Sequence, residues 1–297
     1  PTEALALLST VLNNNPKEPE ALKLKAQLLL DSKDITKAIS TFQEYVAEYP
    51  EDLSITFALA RLLMDNNQSD EAEPLIDILL SVNAEHDLLN QLKALARINA
   101  KDTKNALVFA EKSLFNKPNN QATRLIAGFS AYKDKDYTKA NQHLSFIADQ
   151  LPQSHPALRI LAASQLALGL TIEANETVGK FDVLSPDDSN LISSIGLALV
   201  QKGESQKVKS IIKKVPEQNI STQALAKLGL LKLSISDVSG ITDLESALTQ
   251  ASTEEESEKR TAAKQDVESV LATAYISTKQ YDKALELAKK VKLNNPE

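Results

Sequence analysis

One spacing constrains this chain more than any other feature: small residues return every 34 positions along most of its 297 residues. Residues 121–152, QATRLIAGFSAYKDKDYTKANQHLSFIADQLP, show the unit. Counted from Gln121 as position 1, small residues fall at Gly128 (8), Ala131 (11) and Ala140 (20), Tyr137 falls at 17, and Pro152 closes the stretch at 32. The position-20 alanine recurs at Ala4, Ala38, Ala72, Ala106, Ala140 and Ala174, with Val208 as its equivalent, and every step is 34. The closing proline recurs at Pro16, Pro50, Pro118, Pro152 and Pro186. The small residue of the first half recurs at Ala26, Ala60, Ala94, Gly128, Ala162 and Gly196. Three markers in one register identify a repeat architecture.

Each unit reads as two helices of similar length joined by a short polar turn. Small residues at positions 8 and 20 let the two helices approach closely, and larger ones there would cost roughly 1–3 kcal/mol in overpacking. The proline stops the second helix and sets the next turn. One helix pair cannot bury its own apolar face, so successive pairs stack into a continuous core. The composition agrees. Glycine and proline number only 7 and 11, tryptophan is absent, and helix formers such as Ala, Leu and Lys are plentiful.

In order, residues 1–16 read as the second helix of a partial repeat. Repeats follow at 19–52, 53–86, 87–120, 121–154, 155–188 and 189–221, then a degenerate one at 222–250. Ala84 stands where the proline of repeat 53–86 belongs. In repeat 189–221, Pro216 comes early and Ile220 takes its place. Residues 251–264, ASTEEESEKRTAAK, break the period, since Ile241 and Ala284 are 43 apart. This irregular acidic insertion is expected to extend the preceding second helix or to form an exposed loop before the last repeat, 265–297. An array that starts in mid-unit and stops on a closing proline reads as a piece of something longer. Tolerated terminal faces, or pairing with another copy, are the other readings.

The residues exclude several kinds of chemistry. A net charge of −7, from 33 basic and 40 acidic residues, argues against a nucleic-acid surface. With no cysteine, thiol chemistry and zinc ribbons are out. The chain opens PTEALALL, without the charged region of a signal peptide. Its longest apolar run, residues 157–170, is interrupted by Arg159, Ser164 and Gln165, too short and polar to span a bilayer and better suited to a buried helix. His86, His143 and His155 lack metal-ligand spacing and read as surface histidines. No phosphate loop, dinucleotide fingerprint or nucleophile elbow is present, and Gly169, Gly179 and Gly203 fit turns or helix ends. Asp34, Asp102, Asp136 and Asp282 read as turn residues and helix caps rather than general acids or bases. The acidic run 254–258 reads as a solvated face, and chance accounts for the glycosylation sequons that begin at Asn67, Asn175 and Asn219. No catalytic, cofactor-binding or metal-ligating residue is assigned.

The markers resemble the tetratricopeptide repeat (TPR) family. Repeat 19–52 matches its pattern at Ala26, Ala38, Phe42 and Pro50, and the last repeat at Ala272, Tyr275, Tyr281, Ala284 and Pro296. Position 4 is never Trp, and position 27 is often bulky (Tyr45, Leu79, Phe181). The resemblance implies an all-α, right-handed superhelix, an α-solenoid of antiparallel helix pairs. It implies a non-enzymatic scaffold whose first helices line a concave groove with positions 2, 5, 9, 12 and 13. Here that set includes Lys23, Gln27, Phe57, Arg61, Asp65, Gln91, Asn99, Phe129, Lys133, Arg159, Asn190 and Gln201. Cations and amides beside aromatics suit an extended peptide of a protein partner, and a polysaccharide could use the same groups. The carboxylate clamp of chaperone-binding members is absent, because Lys23 is followed by Gln27, Ala58, Leu88 and Leu92. In overall style the array also resembles the periplasmic TPR proteins of bacterial exopolysaccharide and PEP-CTERM (exosortase) systems. That implies a periplasmic or cell-envelope location rather than a cytoplasmic one. It leaves room for a lipid anchor outside these residues, with no membrane span within them. A regulatory or substrate-presenting portion of a larger enzyme is the alternative.

Overall fold

A computed structural model describes residues 2–181, 184–215, 219–253 and 258–294. Among these the chain forms seventeen α-helices and no strand. In order they are α1 (Thr2–Asn14), α2 (Pro19–Asp31), α3 (Ile35–Glu48), α4 (Leu53–Asp65), α5 (Ser69–Val82), α6 (Asp87–Asn99), α7 (Thr103–Asn116), α8 (Gln121–Lys133) and α9 (Tyr137–Ile147). Then come α10 (Pro156–Ala167), α11 (Thr171–Gly179), α12 (Ser189–Gln201), α13 (Ser205–Ile212), α14 (Thr222–Ser234), α15 (Gly240–Thr253), α16 (Glu258–Ser277) and α17 (Tyr281–Asn294). From α2 onward the even-numbered helices are the first, and the odd-numbered the second, of each repeat. α1 is a second helix without its partner.

Packing follows the small-residue markers. Ala38, Ala72, Ala106, Ala140, Ala174 and Val208 have no exposed surface, and neither do Ala26, Ala60, Ala94 and Ala162. Contacts divide the chain into two compact units, Pro1–His143 and Leu144–Glu297, with the boundary inside α9. In the first unit, Phe42, Leu59, Leu63, Ile76 and Leu92 join α3, α4, α5 and α6 in one core, while Ala94, Ala110, Ala127, Ala131 and Ala140 bring α6, α7, α8 and α9 together. In the second unit, Leu244, Ala247, Leu271, Tyr275 and Leu287 seal α15 against α16 and α17. There a Cβ on Gly196 would stand 2.4 Å from Leu231, and one on Gly229 would stand 2.7 Å from the Gly240 carbonyl.

The turns repeat as faithfully as the core. Lys33, Asn67, Lys101, Lys135, Gly169 and Gly203 all have positive φ, from 59° to 76°, and each follows the last by 34 residues. The next residue donates its N–H five residues back, as Asp34 does to Leu29 (2.9 Å), Asp102 to Arg97 (2.8 Å) and Asp136 to Ala131 (2.8 Å). This left-handed bond closes the first helix and aims the chain into the second. Side chains cap the helices that follow. Asp34, Asp102 and Asp136 accept from Lys37, Asn105 and Lys139 N–H groups. Asp52, Asn120 and Ser221 do the same for Ile55, Thr123 and Ala224.

Three regions depart from the expected pattern. The second helices shorten from 14 residues in α7 to 9 in α11 and 8 in α13. Pro186 therefore does not stop a helix; it opens a short 3-10 turn, Pro186–Asp188, well after α11 has ended. In the irregular stretch, residues 251–253 finish α15 and residues 258–264 begin α16, a 20-residue helix. Its second part thus lengthens the first helix of the last repeat. Pro216, most of the acidic run 254–258, and Pro296 lie outside the described residues. Asp282 sits in the first turn of α17 rather than in the preceding loop.

Candidate functional site

The first helices carry the expected partner-binding residues at positions 5, 9 and 13, apart from Asn190 at position 2. That spacing stacks side chains along one face of a helix. In the first unit this face is accessible: Gln27, Arg61, Asp65, Asn99 and Lys133 are exposed, and Lys23, Phe57, Gln91 and Phe129 half-buried. In the second unit Gln201 is exposed, and Arg159 and Asn190 half-buried.

Many of these groups are already engaged within the protein. The Lys23 ammonium lies 3.1 Å from the Asp52 carboxylate and 5.1 Å from the centroid of the Tyr45 ring. The Tyr45 hydroxyl and Asp52 hold Lys23 above the usual lysine range, and the same Tyr45 hydroxyl, donating at 2.9 Å, with Lys23 holds Asp52 below the usual carboxylate range. Arg159 grips Asp188 with two bonds, Nε to Oδ1 at 2.6 Å and a terminal nitrogen to Oδ2 at 2.9 Å, and stacks 5.0 Å from the Phe181 ring. Burial pushes the Asp188 carboxyl up, but Arg159 and the Ser185 N–H and hydroxyl outweigh it and hold it low. Gln91 accepts from Asn120 (3.1 Å), and Gln27 donates to Asp31 (3.1 Å). Arg61 and Asp65 form a loose pair at 3.9 Å on exposed helix surface, worth well under 1 kcal/mol.

Two places on the first unit's face remain open to a ligand. Lys133 is exposed, and its ammonium lies 5.4 Å from the Phe129 ring centroid. Near Phe57 a hollow of about 390 Å³ is lined by Leu53, Ser54, Leu79, Val82 and Asn83. His86 forms its far side, with its ring 6.0 Å from that of Phe57.

Several of these features escaped the sequence reading. His143 is not a surface residue: it is 5% exposed, with Arg124 at 3.3 Å and Glu111 at 3.7 Å. Burial pushes its imidazole below the ordinary range. His86 and His155 instead cap helices, accepting from the Leu89 and Ala157 N–H groups. Lys227 of α14 donates to Asn190 (2.7 Å) and Ser194 (2.8 Å), and burial pushes its ammonium below the usual lysine range. Lys93 of α6, 5% exposed, pairs with Glu73 (2.6 Å) and Asp77 (2.5 Å) of α5, and Arg97 also reaches Glu73. Residues 16 to 24 positions apart in the chain form these pairs, so only the stacking of α5 against α6 reveals them. Among the described residues no three His, Asp or Glu gather to hold a metal, and no helix is long and apolar enough to cross a membrane.

Stacked helix pairs whose turns recur every 34 residues define an all-α helical-repeat protein. Two tetratricopeptide-repeat family models match it, over residues 1–52 and residues 29–96, so residues 1–96 carry tetratricopeptide repeats. No curated protein matches the chain. Among solved structures, it is similar to a tetratricopeptide repeat protein from Parabacteroides merdae (17% identity, 84% of this chain, 98% of that one, TM-score 0.47). It is also similar to YrrB, a TPR protein with an unusual peptide-binding site (12% identity, 69% of this chain, 97% of that one, TM-score 0.47). A further match is to Naa15/Naa10 bound to HypK-THB (10% identity, 88% of this chain, 41% of that one, TM-score 0.50), a likeness of fold alone.

Proposed function

We propose that the protein is a non-enzymatic scaffold that holds an extended segment of a protein partner against the first-helix face of its first unit. The observation that carries this reading is the pair of open places on α4 and α8: the apolar hollow beside Phe57, and the exposed Lys133 over Phe129. An apolar side chain of the partner suits the hollow, with Ser54 and Asn83 at its mouth to hold backbone groups. An acidic or carbonyl group suits Lys133. The similarity to a peptide-binding TPR protein is compatible with this reading but does not support it by itself. Work in exopolysaccharide production or export, and the cell-envelope location that goes with it, belong to the same proposal and rest on resemblance in repeat style.

Peptides selected from a displayed random library should bind the wild-type chain. Arg61→Ala with Phe129→Ala, or Ser54→Trp across the mouth of the hollow, should weaken them about tenfold or more, since interface anchors are worth about 1–2 kcal/mol each. The melting temperature should change little. If the variants bind as well as the wild type, the face is wrongly assigned. Retention on extracted polysaccharide with no peptide selected would replace the protein partner by a glycan.

A further inference from the structure

The outer faces of α5 and α7 carry a second surface, which shares only Val82 with the lining of the Phe57 hollow. On α5, residues Asp70, Pro74, Asp77, Ile78, Ser81 and Val82 are all exposed, and they fall within one side of the helix. On α7 the exposed side is Lys104, Val108, Lys112 and Phe115. Phe115 is 81% exposed and Val82 65%, the largest apolar exposures on these helices, with Ile78 and Val108 each near half. The end of α7 meets the loop that follows α5, where the Asn116 side chain donates to the Glu85 carbonyl at 2.7 Å. Four exposed aliphatic or aromatic side chains on neighbouring helices form a patch of the kind that marks an interaction site.

Charge says what the patch fits. The α5 side is acidic and the α7 side basic. Asp70 and Lys104 hold the same place, the second residue of two 14-residue helices. Neither makes an ion pair among the described residues. Lys104 also lies at the positive end of the α7 dipole, where a cation is disfavoured. A second copy of the chain meets both needs at once. A two-fold axis parallel to the helices lays α5 of one copy on α7 of the other, parallel and in register. Asp70 then faces Lys104 of the second copy, Pro74 faces Val108, and Phe115 enters the hole between Ile78, Ser81 and Val82. The reciprocal contacts follow by symmetry.

We infer that α5 and α7 form a self-complementary face through which the protein associates as a symmetric dimer. Two helices of this length cover a patch of about 20 by 20 Å per copy, so total burial is roughly 800 Å² and the dimer is weak, dissociating in the micromolar range.

Sedimentation equilibrium of the whole chain tests this, from low micromolar to about 1 mM and at two salt concentrations. The expected result is a reversible monomer–dimer equilibrium that shifts toward monomer at high salt. Phe115→Ser should abolish it. Asp70→Lys and Lys104→Asp should each raise the dissociation constant about tenfold, and the double swap should return it to within about threefold of wild type. A chain that stays monomeric throughout overturns the proposal. So does a dimer indifferent to Phe115→Ser, or a double swap no tighter than the single ones.

Discussion

At the scale of single residues, the left-handed turn position separates what a side chain prefers from what the repeat imposes. Lys33, Lys101 and Lys135 adopt the backbone that Gly169 and Gly203 adopt at the same place. A side chain there costs roughly 1–2 kcal/mol, partly offset by the extra freedom glycine has in the unfolded chain. Lys101→Gly should therefore raise stability by up to about 1 kcal/mol, and Gly169→Ala should lower it by about as much, read from urea unfolding. A loss on Lys101→Gly would mean that the lysine stem packs where the backbone alone was thought to matter. His143 makes a pH-dependent case. Burial and the Arg124 and Lys139 charges keep its ring neutral in the fold, against the opposing pull of Glu111. Its native pKa therefore lies below the unfolded value of about 6.5. As pH falls through that value the unfolded chain takes up a proton that the native state refuses, so stability drops, and the loss levels off below the depressed native pKa. His143→Asn should flatten this part of the stability–pH curve; an unchanged slope would assign it to other groups. The depressed pKa was not legible beforehand. His143 holds the place that Leu75, Phe109 and Ile211 hold in other repeats, so the period points it inward, but the Arg124 and Glu111 contacts that act on it come only from the fold.

At the scale of elements, the period reads the core directly. The alanines at positions 8 and 20 are buried because helix axes must approach there. The same logic reaches its limit at Gly229 and Gly240, where α14 and α15 meet backbone to backbone. Gly229→Ala places a methyl 2.7 Å from the Gly240 carbonyl and close to the fully buried Leu244. It should cost about 1–3 kcal/mol, whereas Gly179→Ala, 3.7 Å from the tip of Lys214, should be nearly neutral. Equal melting temperatures for the two variants would refute the close helix crossing. The register around residue 240 was the hardest to read, since Ile241 stands where the alanine belongs. The glycine one residue earlier takes over the alanine's role. Lengths were less legible than positions. The shortening of α11 and α13 follows no single breaker. After Gly179, the Arg159–Asp188 pair and the Phe181 ring hold the chain in a non-helical course that the proline marker does not announce.

At the scale of the whole molecule, each repeat meets mainly its neighbours, and the chemistry is divided accordingly. Acids and bases far apart in sequence neutralise each other across the two ends of a repeat. Lys23 with Asp52 and Arg159 with Asp188 are the same pairing, position 5 with position 34, made in two different repeats. The expected binding face is consequently poorer in free cations than a count of its residues suggests. What is left open in the first unit is the Phe57 hollow and Lys133. The α5–α7 face meets the Phe57 hollow at Val82, so a second copy and a partner segment approach each other there, while Lys133 lies outside that face.

The sequence alone determined the repeat, its period, the helix pairing and the buried small residues, because close helix packing needs small side chains at fixed intervals and so writes itself into the chain. It also ruled out thiol chemistry by composition. Tertiary structure decided which charges are spent on internal pairs, that Arg124 and Glu111 meet His143, and that residues 258–264 lengthen α16. It also showed how the outer sides of α5 and α7 come to present opposite charge. These depend on which side chains from separate repeats meet, and on whether water still reaches them. A one-dimensional period carries neither.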